Sequence, residues 1–170
     1  MRRARLWLLR AISQSLEILY FRMMAASQPK VRIRAFGLPY QERLVQLWRD
    51  CDLIRPWNNP EDDIRQCLEN PSSELLVAAA KNTLCGSAMI GCDGHRGWVY
   101  YLAVDRQYRH QGIGRVLMEH AENWMRVRKV PKIQAMIRHD NLAVRGFYDR
   151  LNYRDGDVQL VQKWLNEEAS

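Results

Sequence analysis

Apolar residues recur with two different spacings along this chain of 170 residues. Alternating or short continuous apolar runs predict strands, whereas apolar residues three and four positions apart predict amphipathic helices. The predicted elements are, in chain order, a strand at 31–34, helices at 39–50 and from Pro60 onward, strands at 75–80, 84–91 and 98–104, a helix from 113 to about 129, a strand at 132–138, a helix at 141–151 and a strand near 158–164. This order predicts the α/β class.

The segment after the apolar run 98–104 is the most informative part of the chain. It contains Arg109-His110-Gln111-Gly112-Ile113-Gly114 and leads directly into the helix predicted from 113. The first N–H groups of a helix lack intrahelical partners and lie at the positive end of the helix dipole. Glycines remove the Cβ atoms that would keep an anion away, so the segment predicts a phosphate-binding turn.

The spacing of this turn excludes the two commonest phosphate loops. A Walker loop ends in Gly-Lys-Ser/Thr, and no Lys-Ser/Thr pair follows Gly114. The dinucleotide fingerprint needs a third glycine at the position that is Leu117 in this chain. The pattern Arg-x-x-Gly-x-Gly after a strand therefore indicates a different kind of phosphate site.

A second segment, from Asn141 to Tyr153, follows the predicted strand 132–138. Together, the turn and this segment resemble the GNAT superfamily of acetyl-CoA-dependent N-acetyltransferases. Asn152 stands where that superfamily usually has glycine, and asparagine is the next residue most tolerant of the left-handed conformation at a helix end. The segments 51–58 and 93–97 are also similar to the YpeA-type subfamily of small bacterial acetyltransferases, and the resemblance covers about residues 31–170.

The resemblance implies the GNAT fold and its co-substrate. The fold is a mixed, mostly antiparallel sheet of about six to seven strands, flanked by about four helices and splayed between the fourth and fifth strands. Acetyl-CoA is the implied co-substrate, and a metal is not expected. The residues implied for acetyl-CoA binding are Leu102, Ala103, Val104, Arg109, His110, Gln111, Gly112, Ile113, Gly114, Arg115 and Asn141.

These residues are expected to act mainly through their backbone. Amides from about 110 to 115 suit the pyrophosphate, and the backbone of 102–104 suits the pantetheine arm, with a strand bulge turning one amide toward the thioester oxygen. Arg109 and Arg115 either add charge-assisted bonds or are solvated surface residues. Asn141 either bonds the pantetheine or only caps the helix that it begins.

Tyr148 matches the position that protonates the departing CoA thiolate in many relatives. A phenol with a pKa near 10 is protonated at neutral pH and can donate to a thiolate whose pKa is about 8.5. The alternative is that the Tyr148 ring only packs against the sheet. The implied mechanism is direct attack of the bound amine on the thioester, without an acyl-enzyme.

The general base is less well defined. Some relatives use a glutamate on the fifth strand, but that place is Met136 here. Asp93 and His95, in the loop before the central strand, are the remaining candidates, since imidazole has a suitable pKa of about 6.5. The alternative is that both only stabilise a turn. Arg55 and Trp57 are candidates for the acceptor pocket.

The composition of the chain bears on metal binding, localisation and nucleic-acid binding. Cys51, Cys67, Cys85 and Cys92 show no metal-ligand spacing and suit a reducing cytosol, so we expect a cytoplasmic protein. Six basic residues and one acidic residue precede Val31, so the remaining chain carries only +2 of the net charge of +7. A nucleic-acid-binding face on the core is therefore not expected.

The basic N-terminal segment is expected to be separate from the enzyme domain. We predict an extension over 1–29 and a GNAT domain over 30–170. The extension is an amphipathic surface helix, a targeting segment or the product of a misassigned start codon, and its length and arginines argue against a membrane span.

Two functions remain open from the sequence. The first is an N-acetyltransferase that acts on a primary amine of a protein, peptide or small metabolite. The second is a catalytically silent acyl-CoA-binding or regulatory module. We expect a monomer or a homodimer, and a membrane partner is not favoured.

Overall fold

The computed structural model describes residues 31–165. Its elements are β1 (Val31–Ala35), α1 (Gln41–Asp50), α2 (Pro60–Glu69), β2 (Ser73–Ala80), β3 (Thr83–Cys92), β4 (Gly97–Val104), α3 (Ile113–Val127), β5 (Ile133–Ala135) and α4 (Leu142–Arg150). Short 3₁₀ turns at Leu38–Tyr40 and Arg106–Tyr108 precede α1 and follow β4. The predicted α/β class is confirmed.

The strands form one sheet in the order β1-β2-β3-β4-β5. The first four strands pair antiparallel, and β5 pairs parallel to β4, so the mixed and mostly antiparallel sheet is confirmed. Four α-helices flank the sheet in the described part of the chain, as predicted. The described sheet has five strands, where about six to seven were predicted.

The predicted strand near 158–164 is wrong. Its apolar residues suit a strand locally, but no described strand pairs with them, and Val158, Leu160 and Val161 are exposed. A strand needs a partner for its backbone hydrogen bonds, and the local pattern cannot supply one. The predicted strand 132–138 is also shorter than expected, because β5 pairs only with Gly97–Val99.

The predicted helix starts have a clear physical basis. Asn59 caps α2, since its side-chain oxygen accepts hydrogen bonds from the N–H groups of Glu61 and Asp62 at 3.0 and 3.2 Å. Pro60 occupies the first helical position, where its missing N–H costs nothing. The three acidic residues of the first turn then lie at the positive end of the helix dipole.

The helices cover both faces of the sheet. On one face, Leu75 and Val77 of β2 pack with α1 and α2, and Leu44, Trp48 and Ile64 are fully or almost fully buried there. On the other face, the alternate residues of β2 pack with α3 and α4. Because successive side chains of β2 point to opposite faces, this strand contributes to two cores, one on each face of the sheet. β4 also lies between the two cores.

Several expectations concern features outside the sheet. The predicted extension over 1–29 lies outside the described residues. No helix within 31–165 is long and apolar enough to cross a membrane. Across that same range, no three His, Cys, Asp or Glu side chains form a group able to hold a metal ion, and the four cysteines are free.

Candidate active site

The sheet opens between β4 and β5. The two strands pair from Gly97↔Ile133 to Val99↔Ala135, and beyond that point no described strand pairs with this edge of β4. The backbone groups of the downstream half of β4 are therefore available to an extended ligand, as the edge of a sheet is for an added strand. The splay predicted between the fourth and fifth strands is confirmed.

A β-bulge begins where the sheet opens. Ser87 pairs with Ala103 and Met89 pairs with Tyr100, so two residues of β4 oppose one residue of β3. Tyr101 has a φ of 48°, which is the left-handed region. This extra residue reverses which side chains of β4 face each side of the sheet. Val99 packs toward α3, whereas Tyr101, two positions later, packs toward α1 and α2. The bulge expected near 102–104 is present, one residue upstream.

Buried polar contacts fix the bulge. The Trp48 indole N–H donates to Ser87 Oγ at 2.9 Å, and the Ser87 hydroxyl donates to the Tyr101 carbonyl at 3.0 Å. Ser87 is fully buried, so leaving either partner unsatisfied would carry a desolvation cost. The Tyr101 ring stacks on Trp48 with ring centroids 3.9 Å apart. Helix α1 therefore supports the bulge directly.

The turn that the sequence predicts to bind phosphate lies after β4. Gly112 precedes α3 with a φ of 80°, and no side chain caps the helix. The N–H groups of Ile113, Gly114 and Arg115 consequently have no acceptor among the described residues. His110 also has a positive φ, of 61°, so the turn is built from left-handed residues. This arrangement of amides suits an anion.

The two glycines of the turn serve different purposes. A Cβ on Gly112 would meet nothing within 4 Å, so its positive φ is what favours glycine. A Cβ on Gly114 would lie 3.1 Å from the Phe147 ring, so its small size lets α4 pack against the start of α3. The sequence interpretation assigned both glycines to the approach of an anion. The structure adds a packing role for Gly114.

The side chains of the turn point to other partners. Arg109 Nε donates to the Val104 carbonyl at 3.1 Å, which ties the turn to the end of β4. The Gln111 side-chain amide donates to the Gln107 carbonyl at 3.1 Å. Arg115 is 70% exposed and pairs with Glu119 one helical turn later at 2.9 Å. The groups that this turn leaves free for an anion are thus its backbone amides.

The residues predicted in α4 occupy defined positions. Asn141 caps the helix, because its side-chain oxygen accepts a hydrogen bond from the Val144 N–H at 3.2 Å. Tyr148 is 5% exposed and lies edge-on to the rings of Phe147 and Tyr153. Burial raises the pKa of Tyr148 to about 12, so its phenol stays protonated throughout the neutral range.

Asp93 and His95 lie at the other end of β4. They precede Gly97, whereas the phosphate-binding turn follows Val104, and a strand of eight residues spans about 23 Å. The Asp93 carboxylate accepts hydrogen bonds from the N–H groups of His95 and Arg96 and from the Trp98 indole. These bonds lower its pKa to about 2. The structure thus places Asp93 and His95 at the end of β4 far from the phosphate-binding turn, and the carboxylate of Asp93 is bonded within its own turn.

A polar cluster at the bulge was missed from the sequence. Tyr101 Oη donates to Asp63 Oδ2 at 2.5 Å, and the Asn58 side-chain amide lies 3.1 Å from the same oxygen. Burial and the neighbouring carboxylate raise the pKa of Tyr101. The Asn58-Asn59-Pro60 turn was visible as a helix start, but its contact with a strand about forty residues away was not.

The loop before α2 carries the residues suggested for an acceptor pocket. Arg55 donates to both carboxylate oxygens of Asp52 at 3.0 and 3.2 Å. Trp57 is half exposed, and its ring packs at a tilt against Trp164, with centroids 5.8 Å apart. Asn58 of the bulge cluster follows Trp57 directly, so this loop lies beside the opening.

Comparisons with known proteins agree with this architecture. The model of the acetyltransferase (GNAT) family matches residues 41–153. An acetyltransferase of Yersinia pestis is 42% identical over 135 residues, covering 79% of this chain and 96% of the relative. An acetyltransferase of Yersinia enterocolitica is 40% identical over the same length and the same shares.

Solved structures share the fold at low sequence identity. A protein of Clostridium acetobutylicum, described as a predicted acetyltransferase and solved with acetyl-CoA, has a TM-score of 0.66 and 17% identity over 78% of this chain and 96% of its own. Similarity to such proteins supports the fold, and the family match and the Yersinia relatives show the membership. The chain belongs to the GNAT acetyltransferase family.

Proposed function

We propose that this protein transfers an acetyl group from acetyl-CoA to a primary amine. The observation that carries the proposal is the combination of two features at one end of β4. An anion-binding turn with open amides follows the strand, and the strand itself has an unpaired edge and a bulge beside the opening. A ligand with an extended arm joined to a phosphate group suits both features at once.

The residues assigned to acetyl-CoA act along that edge. The amides from His110 to Arg115 would receive the pyrophosphate, and the backbone of Leu102, Ala103 and Val104 would pair with the pantetheine arm. Ala103 is buried and Leu102 and Val104 pack against the α3 core, so these side chains can form the core while their backbone binds. The solved protein from Clostridium acetobutylicum, which contains acetyl-CoA, supports this choice of donor.

The transfer needs an amine with a free lone pair and a proton for the leaving group. The amine nitrogen attacks the thioester carbonyl carbon, the carbon–sulfur bond breaks, the nitrogen releases one proton to the solvent, and the CoA sulfur takes one proton. Tyr148 is the proposed proton donor, because it is protonated at neutral pH and belongs to the helix that packs on the phosphate-binding turn. We assign no proton-accepting role to Asp93, since its oxygens are already bonded within the turn.

The test is an acceptor screen with the purified full chain. We expect CoA release from acetyl-CoA with at least one class of primary amine among peptide N-termini, lysine peptides, polyamines and aminoglycosides, and an acetylated product by mass spectrometry. Binding of acetyl-CoA by calorimetry without transfer to any member of that panel would instead favour a silent acyl-CoA-binding module.

Tyr148→Phe tests the proton donor separately. We expect kcat to fall by about 100-fold or more, the usual contribution of a general acid, while the Kd for acetyl-CoA stays within about twofold. Tyr153→Phe is the matched control, because it removes a half-buried phenol that bonds Glu122 on α3. An unchanged kcat in Tyr148→Phe would remove this residue from the mechanism.

A further inference from the structure

Asp63 has no basic side chain as an ion-pair partner among the described residues. It lies in the first turn of α2 and is half-buried. None of the ion pairs formed within 31–165 includes it, whereas its neighbour Asp62 pairs with Arg65 at 3.1 Å. A half-buried carboxylate without a countercharge is costly, and binding a cation would offset that cost.

The hydrogen bonds of Asp63 leave one of its oxygens free. Tyr101 Oη and Asn58 Nδ2 both bond Oδ2, at 2.5 and 3.1 Å. No donor among residues 31–165 reaches Oδ1. The cluster is held rigidly, because the Tyr101 ring stacks on the buried Trp48 and its carbonyl accepts from Ser87. The free oxygen is therefore preorganised for an external donor.

The position of Asp63 connects it to the proposed reaction. Tyr101 is the bulge residue at the start of the unpaired edge of β4, so Asp63 lies one side chain away from the edge assigned to the pantetheine arm. The half-exposed Trp57 belongs to the loop that contributes Asn58. A positive charge bound here would lie beside the Asp63 carboxylate, which attracts cations.

We infer that Asp63 binds a positive charge on the acceptor other than the nitrogen that is acetylated. A carboxylate in contact with the reacting nitrogen would stabilise its protonated form and remove the lone pair that must attack. A second basic group has no such conflict. The acceptors are therefore molecules with two or more basic groups, and this inference rests on the proposed acetyl transfer.

The experiment compares two acceptors with the same five-carbon chain. Cadaverine carries an ammonium group at both ends of the chain, whereas pentylamine carries one ammonium group only. With the full chain and saturating acetyl-CoA, we expect the wild type to prefer cadaverine in kcat/KM. Asp63→Asn should lower kcat/KM for cadaverine by about 10- to 100-fold, mainly through KM, and leave that for pentylamine within about twofold.

Asp62→Asn is the matched control. It makes the same change in charge one residue earlier, but Asp62 is already paired with Arg65, so both acceptors should keep kcat/KM within about twofold. Tyr101→Phe keeps the stacked ring and removes one hydrogen bond to Asp63. It should give a smaller loss than Asp63→Asn, again confined to cadaverine.

Each outcome has one meaning. Equal losses for cadaverine and pentylamine in Asp63→Asn, or a wild type that does not distinguish them, would overturn the inference. If neither amine is acetylated, calorimetry of cadaverine with CoA present decides, because binding that is lost in Asp63→Asn supports the inference and absent or unchanged binding contradicts it. The proposed function fails separately, through the absence of transfer to any amine of the screen.

Discussion

The loops at the two ends of β4 use their glycines in the same way. Before the strand, Gly94 has a φ of 88° in open space, and Gly97 leaves room for a side chain of α3. After the strand, Gly112 has a φ of 80° in open space, and Gly114 leaves room for a side chain of α4. Both loops also contain histidine and arginine, so the two loops are similar in composition.

The loops differ in what their N–H groups bind. In the first loop, the Asp93 carboxylate accepts from two backbone N–H groups of its own turn. In the second, the carboxylate of Asp105 accepts from Gln107 and pairs with Arg43, while the first amides of α3 receive no acceptor from the described residues. A glycine-rich loop is therefore a candidate anion site only where its own side chains leave the amides open.

The largest expected effect comes from giving the second loop a carboxylate. Gly112→Asp places a negative charge at the open amides, and aspartate tolerates a positive φ better than most residues. We expect the Kd for CoA, measured by calorimetry, to rise by about 100-fold or more, through repulsion of the phosphates and competition for the amides.

Gly112→Asn is the control for that substitution. Asparagine has nearly the same shape as aspartate and a similar tolerance of the left-handed region, but it carries no charge. The Kd of this variant for CoA should therefore rise by less than about tenfold. Equal losses in the two variants would mean that backbone strain, and not open amides, explains the effect. The contrast between the loops would then lose its physical basis.

A smaller effect is expected for the two aspartates that begin the loops. Asp105 is mostly buried and pairs with Arg43 of α1, so Asp105→Asn should lower the free energy of unfolding by about 1.5 kcal/mol. Asp93 is exposed, so Asp93→Asn should lower the melting temperature less. Thermal denaturation at neutral pH tests the ranking, and the reverse order would contradict the burial argument.

The smallest effect is a dependence on pH. The folded-state pKa of Asp93 is about 2, below the ordinary value of 3.8, so its contribution to stability is present above that ordinary value and is lost as pH falls through 2. The melting temperature difference between wild type and Asp93→Asn should be constant from about pH 5 to 8 and shrink toward pH 2. A difference that persists at pH 2 would rule out ionisation as its source.

Local patterns in the sequence predicted most of the fold. The helix from Pro60, the strands at 75–80 and 84–91 and the helix from Ile113 each depend on neighbours in the chain, and all are confirmed. The strand near 158–164 failed because strand formation needs a partner elsewhere in the sheet. The length of β5 was overestimated for the same reason, since its pairing with β4 ends at Ala135.

The site was predicted where it depends on the backbone and missed where it depends on distant contacts. The turn before α3 consists of consecutive residues, and Gly112 directly precedes the helix as expected. Asp63 meets Tyr101 across 38 positions, and nothing in either segment indicates the contact. Asp93 was considered as a base because its residue type suits that role, but its hydrogen bonds assign it to a turn.

The bulge at Tyr101 has a consequence for how this enzyme can change. Upstream of it, odd-numbered residues of β4 face α3, and downstream even-numbered residues do. The donor is assigned to main-chain groups, which most substitutions leave in place, whereas the acceptor is assigned to side chains on the α1 and α2 face. Deleting one residue of β4 at the bulge would extend the upstream alternation of side chains through the whole strand. The Tyr101 side chain would then turn away from Asp63. Substitutions of side chains on the α1 and α2 face can therefore change specificity for the acceptor while the main-chain groups assigned to the donor stay in place.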